Sequence, residues 1–292
     1  MKKLKTFLVL LLLSLILLAG CKTLPAGRIV DPIELLDNNS AFYIAIPKAA
    51  DTVLIERMIQ NNVKNLSESD AKLISSKVNK IYCGLNRSRN FLEVQASIDS
   101  AIPLSLIPKV MTKKNGWQVS KYSPESSTSE YTVYNYENID ITFPNSSITC
   151  LGRDIENMLS KYDTLSNMPA ENVELYSDLP DELLTYLKGA EDEIRFYAGK
   201  PQSFLTILTG ANLDLRLIDV KGSFITDPKH ENQYLLNLDF NFKNDKFRKA
   251  GKALLTLAFG LTNSQEEEIG FSELKISGIR IDKKQLYKIL VL

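Results

Sequence analysis

"EYTVYNYENIDITFPNSSITCLGRDIENMLSKY", residues 130–162, holds the grammar of the whole chain. "EYTVYNY", "IDITF" and "SITCLG" are short runs of β-branched and aromatic residues parted by turn formers, the mark of successive strands. Glu137-Asn138 is a hairpin turn between the first two. The third strand runs into Asp154, whose carboxylate is placed to cap the helix "DIENMLSKY". A strand meander followed by an Asp-started helix predicts an α/β unit with a largely antiparallel sheet.

The same elements recur on both sides of this stretch. Upstream, "WQVSKY" (117–122) and "FLEVQASI" (91–98) read as strands, and "AFYIAIP" (41–47) is a strand stopped by its proline. Asp51 is placed to cap a helix through Leu66, with Val53, Leu54, Ile55, Met58, Ile59, Val63 and Leu66 at helical spacing. A second helix is predicted from Asp70 towards Tyr82. The segment 163–180, with Pro169 and Pro180, is a boundary. Beyond it come a helix "DELLTYLKGA", a strand "EIRFYAG", an apolar helix opened by Pro201, and strands at 213–226 and 232–242. A helix from Asn244 to Thr262, a strand "FSELKISGIRI" and a helix "DKKQLYKIL" complete the chain. "SITCLGRDIENMLSKY" and "LKISGIRIDKKQLYKIL" share one pattern, strand then Asp-started helix. The expected architecture is α/β (α+β): a layered α/β/α arrangement on a mixed, largely antiparallel sheet, built from a duplicated unit. Residues 31–165 and 178–292 form its two halves, packed as one body.

The N-terminus has a separate meaning. "MKKLK" followed by the apolar run Phe7 to Ala19 is a secretory signal, too short to span about 30 Å of hydrocarbon comfortably. Leu18, Ala19, Gly20 and Cys21 form a lipobox, so residues 1–20 are removed and Cys21 takes a diacylglycerol anchor. Residues 21–30 form a short tether. Removing Lys2, Lys3 and Lys5 from 35 basic residues leaves 32 against 35 acidic ones, and no face or tail is densely basic, which argues against nucleic acid as a partner. Cys83 and Cys150 can pair in an oxidising periplasm or stay free as buried thiols.

The chain carries no marker of catalysis. Its single histidine, His230, lies in the polar turn "DPKHENQ". No CxxC, HExxH or glycine-rich phosphate loop occurs, and the acidic runs Glu191–Glu193 and Glu266–Glu268 read as solvated loops or turns. No catalytic residue, metal site or cofactor is assigned, and a hydrolase using an acidic pair is the remotest alternative.

Apolar residues are in excess in three places. "AIPLSLIPKVM" (101–111) crowds Leu104, Leu106 and Ile107 between Pro103 and Pro108, which forbid a continuous helix. "PQSFLTILTGA" (201–211) holds Phe204, Leu205 and Leu208. "KFRKAGKALLTLAFGLT" (246–262) is basic at first, then apolar nearly all round, with Leu254, Leu257 and Phe259. Such segments are either central core helices or interfacial ones with lysines at the headgroups. In the second case Leu104, Ile107, Leu208 and Leu257 line an apolar lipid groove.

"AFYIAIP", "KIYCGLNRSRNFLEVQASI", "NGWQVSKY" and "YTVYNYENIDITFPNSSITC", in that order, resemble a treponemal outer-membrane-associated lipoprotein. The similarity covers Asp31 to about Tyr162 in residues, then element order only. It implies an α/β/α fold whose amphipathic helices insert into the inner leaflet of the outer membrane. It also implies a lipid-anchored, periplasm-facing protein whose partner is membrane lipid, reached through acylated Cys21 and those helices. The acidic run Glu266–Glu268 departs from what a membrane face would carry. The competing expectation is a tethered module whose sheet edge or apolar patch binds an envelope protein.

Overall fold

The computed structural model describes residues 27–62, 66–87, 92–125, 127–137, 139–152, 155–171, 176–202, 205, 214–259 and 265–290. All twelve strands lie in one sheet, in the order β11-β12-β10-β9-β8-β1-β2-β3-β7-β6-β5-β4. They are β1 (Phe42–Pro47), β2 (Val78–Arg87), β3 (Leu92–Ser100), β4 (Gln118–Tyr122), β5 (Tyr131–Tyr136), β6 (Ile139–Thr142), β7 (Ile148–Gly152), β8 (Ile194–Ala198), β9 (Leu217–Thr226), β10 (Gln233–Phe242), β11 (Gln265–Ile269) and β12 (Glu273–Asp282). Seven helices are bounded among the described residues: α1 (Thr52–Asn62), α2 (Glu68–Ser76), α3 (Ile107–Val110), α4 (Ile155–Ser166), α5 (Asp181–Lys188), α6 (Asp245–Phe259) and α7 (Lys283–Leu290). Every ladder between described strands is antiparallel, so the sheet is more uniform than the mixed one expected.

Asp51 caps α1 as expected, its Oδ1 accepting from the Leu54 N–H at 2.9 Å. The second helix differs from expectation. Ser67, not Asp70, is its cap, and it stops at Ser76, giving way to strand β2. The β2 strand buries Ile81, Cys83 and Leu85 on one face and Tyr82 on the other. Burial on both faces removes the alternation that marks a strand, so the run reads as helix from sequence. Glu266–Glu268 belong to an edge strand, β11, rather than a loop. A charged edge strand discourages pairing with another chain.

The sheet has a front and a back. Phe42, Ile44 and Ile46 of β1 point to the front, where they join a core with α1, α6 and α7. Tyr43 and Ala45 point to the back, against α5 and the 3-10 turn Pro32–Leu35. Further along, Ile107 of α3 packs on the front with Trp117, Tyr134 and Ile141, while α4 packs on the back through Ile155, Met158 and Leu159. Helices on both faces make the layered α/β/α arrangement.

The strand order is symmetric about the β1–β8 junction. β1-β2-β3-β7-β6 on one side of the junction corresponds to β8-β9-β10-β12-β11 on the other, and the halves meet where β1 pairs with β8. The two strand–helix repeats, β7–α4 and β12–α7, are equivalent in order but not in position. The α4 helix lies on the back, whereas α7 folds onto the front through Leu286, Tyr287 and Leu290. Among the described residues, the back of the second half therefore has no counterpart of α4. β10 shows the result, with Tyr234, Leu236, Leu238, Phe240 and Phe242 buried while Asn237, Asp239 and Asn241 stay half-exposed.

A second link joins the halves beside the sheet. Asp51 Oδ2 accepts from Tyr234 Oη at 2.5 Å and Tyr287 Oη at 3.2 Å, and lies 3.0 Å from Lys283 Nζ. Burial pushes this carboxyl up, but its hydrogen bonds and Lys283 outweigh burial and leave it below the ordinary carboxylate range. Cys83 and Cys150 are both free and buried. They sit two strands apart on opposite faces, Cys83 opposite Ala96 and Cys150 opposite Ser97, so no disulfide can join them.

Candidate membrane-facing site

Pro103 and Pro108 break the segment 101–111 as predicted, leaving only the four-residue α3. The break lets neighbours diverge. Leu104 and Leu106 stand 46% and 41% exposed, while Ile107 is 6% exposed in the cluster around Trp117. Ile107 is thus core, a correction to its reading as a lipid contact. Gly116, at φ +90, turns the chain so that Trp117 can enter that cluster.

In α6 the division falls between adjacent residues. Leu255 is fully buried and Leu254 is 42% exposed. Leu257 and Phe259 belong to the α6 backbone, but their side chains lie outside the description. The lysines opening α6 have a local reason. Asn244 caps Phe247 N–H at 3.1 Å, and Asp245 pairs with Arg248 at 2.7 Å and Lys249 at 2.9 Å. Those two partners hold Asp245 below the usual carboxylate range. Leu205 is also core, with no exposed surface, because it completes the front layer between β8 and β9. Phe204, Leu208 and the lipobox Leu18, Ala19, Gly20 and Cys21 lie outside the described residues.

Six further exposed aliphatics were not singled out by sequence: Ile29 at 93%, Leu73 at 56%, Val53 at 51%, Ile218 at 50%, Val119 at 46% and Ile225 at 37%. Val53 had a signal. In Val53-Leu54-Ile55, successive side chains turn about 100° apart, so a helix burying Leu54 and Ile55 must turn Val53 outward. Phe271, 86% exposed beside Gly270 at φ +64, is a hairpin tip with no periodicity to betray it.

Of the apolar groove expected from Leu104, Ile107, Leu208 and Leu257, Ile107 faces the core, and Leu208 and the Leu257 side chain lie outside the described residues. Among the described residues a cleft of about 330 Å³, lined mainly by polar groups, lies on the back of the second half under α5. Tyr186, Tyr197, Asp219, Lys221, Asp239, Asn241, Glu273 and Lys275 line it. Lys221 pairs with Glu182 at 3.2 Å, and Lys275 with Asp239 at 3.8 Å. Burial, with Glu182 and Glu273 nearby, pushes the Asp219 carboxyl up. His230 is exposed, its Nδ1 3.0 Å from Asp227 Oδ2. Among the described residues, no group of three or more His, Cys, Asp or Glu could hold a metal ion, and no helix is long and apolar enough to cross a membrane.

A family profile described as "Outer membrane-associated lipoprotein TP0453" matches residues 27–287. The chain belongs to that family. This lipoprotein is accordingly associated with the outer membrane of the cell envelope, as the resemblance implied. Its fold is that of TP0453. Crystal form I of that protein superposes with a TM-score of 0.69 at 20% identity, covering 91% of this chain and 98% of that one. Crystal form III superposes with 0.66 at 21% identity, covering 90% and 99%. No curated protein matches the chain.

Proposed function

We propose that this lipoprotein, anchored through acylated Cys21 on the periplasmic side, also engages the outer-membrane leaflet with its folded body. There it binds or transfers lipid, or alters permeability, without catalysis. The observation that supports the reading is the pair Leu104 and Leu106, exposed on a segment whose neighbour Ile107 is fixed in the core. A multi-chain lipid on Cys21 is a firm anchor already, so apolar side chains held out in water serve something other than attachment. The test is flotation of acyl-free residues 22–292 with neutral and anionic liposomes, alongside a Leu104→Glu/Leu106→Glu variant. The native chain should float at moderate salt and the variant should not. A native chain that stays at the bottom ends this reading. The open polar cleft on the back then favours the second one, a tethered module that binds an envelope protein.

A further inference from the structure

We propose that the body meets the leaflet end-on, through one end of the sheet in the first half and the helix ends gathered there. This rests on the membrane-engaging reading above. The end concerned is the upper one, where β1 finishes at Pro47, β2 begins at Val78 and β3 finishes at Ser100.

The tether fixes which end is near lipid. Gly27 bridges Pro169, and Arg28 N–H donates to Met168 O at 3.1 Å, just past the C-terminus of α4. The α4 helix rises from the lower end, beyond Gly152, to the upper end, where Asn145 of the β6–β7 turn donates to Tyr162 Oη at 2.9 Å. Cys21 precedes Gly27 by six residues, which span at most about 20 Å. The ten residues of β2 extend about 33 Å, so the lower end starts a strand length further from the anchor.

Exposed aliphatic side chains gather at this same end from separate segments. Val53 opens α1 directly above β1, Leu73 lies in the last turn of α2 before β2, and Leu104 and Leu106 follow β3. Ile29 lies two residues past the Gly27 bridge. Backbone bonds hold these segments together: Ala101 N–H donates to Lys77 O at 2.7 Å, and Ile102 N–H to Ser146 O at 3.1 Å. Lys48, Lys77 and Lys109 stand among them, and among the described residues none of the three has an acidic partner. Lysines around exposed aliphatics suit anionic headgroups over an apolar boundary. The upper turns of the second half carry Glu191, Asp192 and Glu231 beside Lys229 and Lys284, and Ile225 at 37% is their exposed aliphatic, so the apolar surface at this end is centred on the first half. The lower end offers Phe271, Ile218 and Val119, but lies beyond the tether's side of the molecule.

The test uses the acylated mature protein in vesicles containing phosphatidylglycerol. Single variants Leu73→Cys, Leu106→Cys, Glu231→Cys, Leu254→Cys and Phe271→Cys carry a spin label, and the ratio of oxygen to nickel-chelate collisions reads depth. Cys83 and Cys150 stay unlabelled, being buried with thiols pushed up to about 12, and the Cys21 sulfur is taken by its lipid. The ratio should rise several-fold at 73 and 106 on vesicle binding and stay at its value in water at 231, 254 and 271. Immersion at 254 without 73 and 106 overturns the end-on pose while membrane engagement stands. Immersion at 271 overturns it likewise. Immersion nowhere removes both the pose and the reading beneath it. Circular dichroism of each labelled variant confirms that the readings come from folded protein.

Discussion

Leu254 and Leu255 are neighbours on one helix with opposite surroundings, and exchanging them for other residues separates a core role from a surface one. Leu255 is fully buried against the front core. Leu255→Ala removes three carbons, about 0.8 kcal/mol each by transfer, plus a cavity term, so the loss is about 2–5 kcal/mol. Leu254 is 42% exposed. Full burial of a leucine is worth about 1.5–3 kcal/mol, and only part of that is realised here, so Leu254→Glu costs about 1 kcal/mol. Glutamate and leucine have similar helix propensity, so α6 itself is barely affected. Urea unfolding monitored by Trp117 fluorescence measures both variants. Leu255→Ala should lower the midpoint sharply at unchanged slope, and Leu254→Glu only slightly. Equal losses would refute the assignment of the two faces, and the whole of α6 would then be core. With Leu254→Glu folded, its flotation shows whether α6 adds to the contact made by the upper end. The end-on pose expects no change.

Two other perturbations probe the frame that carries the site. Asp51→Asn should cost about 3 kcal/mol, because it leaves Lys283 and the hydroxyls of Tyr234 and Tyr287 without their buried carboxylate. Since the folded carboxyl titrates below its unfolded value, its contribution is present above the ordinary carboxylate range and lost as pH falls through the folded value. The gap between native and variant should therefore close in acid, which urea titrations from pH 7 down to about 3 would follow. Gly251→Ala should destabilise by about 1–3 kcal/mol, although alanine ordinarily favours a helix. A Cβ there would lie 2.3 Å from Phe242 Cε1, and a thermal melt reads whether the ring can yield.

Local chemistry was legible in the sequence: Asp51 caps its helix, and Pro47, Pro103 and Pro108 stop what precedes or follows them. Each rests on contacts within a few residues. The strand–helix pattern read at 147–162 and 274–290 is likewise present, as β7–α4 and β12–α7. Direction was not legible. Ile107 beside Leu106, Leu255 beside Leu254 and Leu54 beside Val53 are all apolar, and which of each pair turns inward depends on side chains brought from distant strands. Trp117, Tyr134 and Ile141 decide the first, and the front core formed by β10 and its neighbours decides the second. The first half of β2, up to Tyr82, reads as helix because a strand covered on both faces has no alternation to show. That α4 takes the back while α7 takes the front follows from nothing within either segment. A sequence fixes how apolar a segment is and where it begins and ends. Which of its faces meets water is settled only when the sheet closes and the surfaces of remote strands compete for it.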